Sequence, residues 1–441
     1  MTINLKRKLF DPESICIGIF ILWIMLPVFI MLLDIPIYYS LPEKFREISI
    51  AKAWYEPAYG RVLVVLGYIT ILTVLFVMLF YLRKRKAKGY FGFLFKPWYA
   101  LLGALLGWSI ICTLASEYPA REWVGTEYRQ EGLRTYFFYA AVLLGASFIS
   151  RPVIKIQLIK TYVFVAVSMS ALILCQNYKV PVISSIFGYK NAAVFFNTNH
   201  CAYYLTMSIL CTLGLNLYEN QHKMSVTYTC LFAIQYFALL KNNTFGCFLA
   251  VWGGIFFVYL LFIYRGNKID NYRLAPLIVF ALVTASCWNI VVSNIIKTSS
   301  DVSNVMKNND SAGRAGSGRI ALWRQAIVDI SKRPILGYGP EGIAYYYPER
   351  YNNRPHNEYL QYAVFTGIPG MFFYLAALIT LARDRIKKLK DLDSASVIIG
   401  GAIIGYCISA FFGVTMLYTA IYFFMFLGLI ATDSCVIPTE L

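Results

Sequence analysis

The sequence has few charges, few histidines and none of the short signatures of soluble catalysis. Only 14% of its 441 residues are charged, against 59% hydrophobic, and only three are histidines. So small a charged fraction excludes an ordinary soluble globular protein. No GxSxG, Walker, HExxH or CxxC pattern occurs, which excludes the common serine-hydrolase, nucleotide-phosphate and zinc sites. The ten cysteines fall almost entirely within apolar runs and none forms a CxxC pair. They read as small apolar side chains, not as a disulfide framework or a metal site. No internal repeat is visible.

What is present is a succession of apolar runs. A hydrocarbon core about 30 Å thick needs about 20 apolar residues per helical span. Runs of that kind are predicted at 15–33, 62–82, 98–116, 135–150, 158–176, 201–218, 226–240, 244–264, 274–296, 358–382, 395–413 and 415–432. The expected fold is therefore an all-α integral membrane protein, a polytopic bundle of about twelve helices with one large, partly helical outer loop. It divides into an N-terminal bundle (1–296), the loop (297–357) and C-terminal helices (358–441). The first run follows Lys6, Arg7 and Lys8 but is long and lacks a small-x-small cleavage site, so it reads as an uncleaved span.

The formal net charge of +17 could suggest nucleic acid, yet the basic residues sit in short clusters between apolar runs. Those clusters fall in alternate gaps, for example Arg83–Lys88 and Arg383–Lys390, as the positive-inside rule predicts. Both termini are then expected in the cytoplasm and the long loop outside, with no nucleic-acid partner. The abundant aromatics, 34 Tyr, 32 Phe and 8 Trp, suit many membrane–water interfaces.

The loop stretch Gly316–Asn357 is the one long polar segment, and a polar loop of this size exceeds what a connector needs. It holds Arg314, Arg319, Arg324, Arg333, Arg350 and Arg354, and His356. Ser317 or Gly318 is placed to cap a helix starting at Arg319, with Ile320, Trp323, Ile327 and Ile330 on one apolar face and Pro334 ending it. Gly337, Gly339 and Gly342 then predict a flexible turn. Arg319 in the first helical turn joins a guanidinium fork to backbone N–H groups that already favour anions. The plainer reading is a solvated or headgroup-contacting arginine, and it weighs more for Arg324 and Arg333. His356 precedes a membrane helix, and its ordinary pKa of about 6.5 suits proton transfer near neutrality. Asn357 beside it is a candidate substrate contact.

The stretch 117–139 holds Arg129, either a second phosphate or sugar contact or the partner of Glu127 or Glu131. His200 reads as a satisfied interfacial histidine and His222 as a solvated one. Asp391-Leu392-Asp393 spells a DxD metal motif, but it sits in a short lysine-rich gap and three-letter matches arise by chance. No metal or cofactor is expected.

GSGRIALWRQAI, KRPILGYGPEG and PHNEYLQYAVFTGIPG, in that order around a large loop, with YRQEGLRTYFFY and FFNTNHCAYYL upstream, resemble the O-antigen ligase and O-antigen polymerase superfamily of bacterial membrane glycan transferases. The resemblance spans roughly two thirds of the chain. It implies a bacterial inner-membrane enzyme. The donor would be an oligosaccharide on polyprenyl (undecaprenyl) diphosphate, and the acceptor a glycan, lipid or protein. Other envelope-polysaccharide assembly proteins would be partners beside the membrane lipids. By position Arg319 matches the family's diphosphate-holding loop arginine and His356 its proposed base. Where many members carry a Ser-Arg pair this chain has Thr244-Phe245, which leaves Lys241 or Arg129 to supply that charge. A polysaccharide-unit flippase is the alternative; it should carry ionisable residues in its spans and lack one dominant loop.

Overall fold

The computed structural model describes residues 12–40, 50–83, 91–126, 129–187, 191–195, 197–306, 319–349 and 354–432. Every regular element among them is helical. In chain order these are α1 (Pro12–Ser40), α2 (Ile50–Leu82), α3 (Pro97–Leu114), α4 (Pro119–Val124), α5 (Leu133–Ala146), α6 (Pro152–Asn177), α7 (Pro181–Phe187), α8 (Thr198–Tyr218) and α9 (His222–Asn242). They continue with α10 (Phe245–Tyr264), α11 (Asn271–Ser286), α12 (Trp288–Met306), α13 (Arg319–Lys332), α14 (Ile343–Tyr346), α15 (Glu358–Lys387), α16 (Ser394–Ala410) and α17 (Leu417–Ala431). Proline opens α3, α4 and α6, where its missing N–H has no intrahelical partner to lose. Asn197, Asn357 and Asp393 cap α8, α15 and α16, each accepting from a backbone N–H of the first turn.

All twelve expected runs are helical. Seven helices among the described residues are long and apolar enough to cross a membrane, and the α11–α12 pair makes up to eight; α5, α16 and α17 are shorter apolar helices. The structure thus confirms a polytopic helical protein without fixing the number of spans at twelve. One run departs from expectation: 274–296 is bent by 75° where α11 meets α12. Beyond the bend, α12 carries Asn289, Ser293, Asn294 and Lys297, polar groups that a straight continuation would bring into hydrocarbon. Asn294 Nδ2 instead donates to Asn243 Oδ1 (2.7 Å).

The core lies around α8, whose window is 94% buried, and around α17, which is buried throughout. Glycines let helices close on one another: Gly214 abuts Ile398, Gly405 and Gly254 abut Leu210, and Gly428 abuts Leu143. By contrast α2 exposes Leu72, Leu75, Leu79 and Leu82, a stripe that suits lipid.

The loop helix α13 begins at Arg319 and ends before Pro334, as expected; Arg314, Ser317, Gly318 and Arg350 lie outside the described residues. Its buried face differs from the expected stripe. Ala326 and Asp329 are buried, whereas Ile327 is 59% exposed. The helix packs on α15 through a satellite core of Ala326, Tyr338, Ile343, Val364 and Phe365, and that contact leaves Ile327 on the far side.

Candidate functional site

Three segments meet where α15 begins: residues 116–132, the turn 333–342 and the stretch entering α15 at 354–357. Their meeting depends on a break in α15. Gly367 has φ 69°, a left-handed conformation that glycine adopts without penalty, and Pro369 follows it. Four backbone groups around the break are taken up by partners outside the helix. Tyr338 N donates to Val364 O (3.0 Å), Gly339 N to Phe365 O (2.8 Å) and Ile368 N to Pro334 O (2.8 Å). Trp108 Nε1 donates to Thr366 O (2.8 Å). Unwound backbone within a membrane protein persists only when satisfied in this way. The turn expected to be flexible is therefore pinned. A Cβ on Gly337 would collide with the Phe365 backbone, and one on Gly367 with that of Ile335.

The pinned turn presents Glu341, itself at φ 58°. Its carboxylate accepts from Thr126 N (2.7 Å), Thr126 Oγ1 (3.0 Å) and Glu131 N (3.4 Å), and pairs with Arg354. Side-chain exposure is 1% for Glu341 and 2% for Arg354, so this is a buried ion pair. Burial pushes the Glu341 carboxyl upward, but Arg354, Arg129 and the Thr126 N–H outweigh it and hold it below the usual glutamate value. Arg354 Nη1 also donates to Thr415 O (2.7 Å), joining the stretch before α17 to the same knot. A second buried carboxylate, Glu122, accepts from Ser116 Oγ and lies against Gly339 and Gly342, where a Cβ would strike it. Burial raises it to about 7. Glu131 accepts from Tyr139 Oη (2.6 Å) and Leu417 N (2.8 Å), and burial likewise raises it to about 7.

His356 sits two residues beyond Arg354, half-buried and at φ 50°. A non-glycine residue held in that region needs its surroundings to enforce it, and such residues gather at functional sites. Burial and then the charges of Arg319, Arg129 and Arg354 push its imidazole down to about 4. Three of the sequence-predicted residues thus bear on one another: the charges of Arg319 and Arg129 act on His356, and Arg129 shares Glu341 with Arg354, two residues before it. Arg129 does not pair with Glu131 as one reading had it; Glu131 faces Tyr139 and Leu417, and the Arg129 guanidinium lies 3.9 Å from Glu341. Glu127 lies outside the described residues. Among the described residues Arg319 has no acidic partner.

The remaining predicted residues are placed differently. Asn357 is buried and caps α15, accepting from Leu360 N (3.1 Å). Arg324 is exposed on α13. Lys241 lies over Phe237 (5.3 Å) and Tyr178 (5.8 Å) and is not among the charges bearing on His356. Thr244, where the resemblance leads one to look for an arginine nearby, caps α10 by position, and its Oγ1 donates to Asn242 Oδ1 (2.6 Å). His200, expected to be satisfied, is 5% exposed with its Nδ1 buried and unpartnered. Its ring lies 6.4 Å from Tyr418, and the charges of Arg354, His356 and Arg129 bear on it.

Sequence reasoning missed Glu341, Glu122 and the burial of Arg354. The available signals were Glu341 flanked by Pro340 and Gly342, and Arg354 directly before Pro355-His356. No group of His, Cys, Asp and Glu among the described residues suits a metal ion. Asp393 of the DxD triplet accepts from Ser396 N and Ser396 Oγ (both 2.8 Å), a helix cap.

No curated protein matches the chain. Residues 230–375 match the family model for O-antigen ligase. The matched stretch covers Arg319, Glu341, Arg354 and His356 and supports an O-antigen ligase/polymerase-type membrane enzyme. Over residues 230–375 the chain is thus similar to the O-antigen ligase family.

Proposed function

We propose that this protein transfers or polymerises oligosaccharide units from a polyprenyl (undecaprenyl) diphosphate donor onto a glycan acceptor. The setting is cell-surface polysaccharide synthesis in a bacterial inner membrane, with the 297–357 segment on the outer face and both termini in the cytoplasm. A ligase moving the glycan onto lipid or protein would differ only in the acceptor. What supports the reading is that Arg319 and His356 are both half-buried and that Arg319 is the foremost charge acting on that imidazole.

The chemistry follows from those two groups. An acceptor hydroxyl gives its proton to the neutral His356 imidazole while its oxygen forms a bond to the anomeric carbon of the donor. The bond from that carbon to the diphosphate oxygen breaks, and its electron pair leaves with the diphosphate. Single displacement inverts the sugar. The leaving group is already good, so the site needs a cation over the developing charge and a base for the nucleophile. Arg319 has the fork of donors that suits phosphate oxygens and stands in the first turn of α13, where free N–H groups add to the attraction. Arg129 extends the positive field. A depressed imidazole pKa keeps the base unprotonated beside these cations.

The test is complementation of cells lacking the native gene with wild type, His356→Ala and Arg319→Ala at matched membrane expression. Both variants are expected to lose long glycan and accumulate the lipid-linked unit. Normal glycan from both would remove the cluster from the chemistry and the reading with it.

A further inference from the structure

Beside His356 lies a pair of buried polar atoms that the fold leaves open. His200 stands in the first turn of α8, just after the Asn197 cap, on a helix whose window is 94% buried. Tyr418 covers one face of its ring at 6.4 Å, the planes 26° apart. Its Nδ1 is buried without a partner. Arg354 uses Nη1 on Thr415 O and Nη2 on Glu341, and its Nε is also buried without a partner. The two flank the same stretch before and into α17, Arg354 donating to Thr415 O (2.7 Å) and His200 lying against Tyr418, and Arg354 is the foremost charge acting on His200. Folded interiors satisfy nearly all buried polar groups, so two open ones on neighbouring side chains call for an occupant.

Charge decides what the occupant is. Glu341 offsets Arg354 and Arg129 on this side. Arg319, which has no acidic partner among the described residues, acts on His356 but is not among the charges acting on His200. His356 therefore has a cationic flank suited to diphosphate and a compensated flank suited to a neutral polar group. An anion would face the Glu341 carboxylate there. A hydroxyl would not, and its oxygen has two lone pairs for two donors.

Building on the transferase reading, we propose that His200 and Arg354 Nε form an acceptor subsite for a sugar hydroxyl. The hydroxyl oxygen accepts from Arg354 Nε–H and from His200 Nδ1–H, while a neighbouring hydroxyl of the same sugar is presented to His356. Recognition of a neutral glycan is thus separated from recognition of the diphosphate, and the subsite sets which acceptor hydroxyl reacts. His200 binds substrate here and takes no part in the proton transfer.

The test uses the full chain with 15N-labelled histidine in lipid nanodiscs. Its three histidines, His200, His222 and His356, are assigned by single substitutions. Inorganic pyrophosphate is one probe, and purified surface glycan from the cells that make the protein is the other. Glycan is expected to move the His200 signals, and pyrophosphate to move those of His356 while leaving His200 in place. In complementation, His200→Phe keeps a ring against Tyr418 but loses the hydrogen bond. Long glycan should fall about tenfold, with His200→Gln recovering part of it. A His200 signal indifferent to glycan, or moved by pyrophosphate, overturns the subsite, as does wild-type glycan from His200→Phe; a structural water then fills the gap. If His356→Ala and Arg319→Ala are themselves active, the transferase reading fails, which is a separate result.

Discussion

The two ends of the bundle use buried cations in opposite ways. Away from the 319–357 segment, buried and half-buried cations are anchored by the backbone ends of helices as well as by Asp393, Asp384 and Asp270. Lys155, fully buried, reaches Thr432 O and Ser396 Oγ (both 3.4 Å) and Asp393 (3.8 Å). Arg385 Nη1 donates to Ile430 O (3.1 Å), Arg265 Nη2 to Leu392 O (2.6 Å) and Arg273 Nε to Leu217 O (2.8 Å). Most of these carbonyls belong to helix C-termini, where unpaired oxygens and the dipole favour positive charge. At the other end Arg319, Arg354 and His356 lie at or just before the N-termini of α13 and α15, and His200 lies at that of α8. There the dipole is positive and carbonyls are scarce. Cations gathered there need an acid or an incoming anion. Glu341 answers for Arg354 and part of Arg129, and Arg319 has no acid among the described residues. Burial of an arginine is thus no mark of function; what its charge faces is.

The contrast can be broken most forcefully at Glu341. Glu341→Ala leaves Arg354 buried and uncompensated, a change that costs about 3–5 kcal/mol. Yield of folded protein and transfer activity should both collapse, and adding Arg354→Met should restore folding in part, as measured by thermal unfolding in detergent. Gly367→Ala comes next. It forces a side chain into a left-handed position and against Ile335, and a loss of about 1–3 kcal/mol is expected together with release of the 334–339 turn to proteolysis. The third test is titration of His356. Its pKa is depressed below the ordinary value, so the imidazole is neutral and able to accept a proton above about pH 4, and transfer is lost as pH falls through about 4. Arg319→Gln removes a repelling charge while burial remains, so the 15N titration should move part of the way up towards 6.5. A wild-type midpoint already near 6.5 would refute the buried, arginine-ringed histidine. The smallest effect belongs to Arg324→Ala. Arg324 is exposed on α13, so glycan length should be unchanged.

Much of the fold was legible because crossing hydrocarbon imposes a length and a composition, and every expected run is helical. The bend at Cys287 was not, because run length does not register how polar residues such as Ser293 and Asn294 are disposed along a helix. The start of α13 at Arg319 was legible from its flanks. Its buried face was not: Ile327 fits the period, but contact with α15 selects Ala326 and Asp329. In the site, Arg319, Arg129 and His356 could be read from residue type and place. Their support could not, since the pairing of 334–339 with the broken α15 runs through backbone atoms and leaves only glycines in the sequence. Likewise the local signals at Glu341 and Arg354, a proline and glycine beside one and Pro355-His356 after the other, do not announce a pair that forms only when four distant segments close. His200 was misjudged because a histidine at a membrane edge usually has a partner, and here the fold withholds one from Nδ1.

The most direct test is transfer by purified full-length protein in vesicles, using lipid-diphosphate-linked oligosaccharide from the producing cells and comparing wild type with His356→Ala. The predicted result is a fall in rate of at least about a hundredfold, the usual contribution of a general base, with donor binding retained. An unchanged rate would contradict the account at its centre, because His356 would then be part of the scaffold and not of the chemistry.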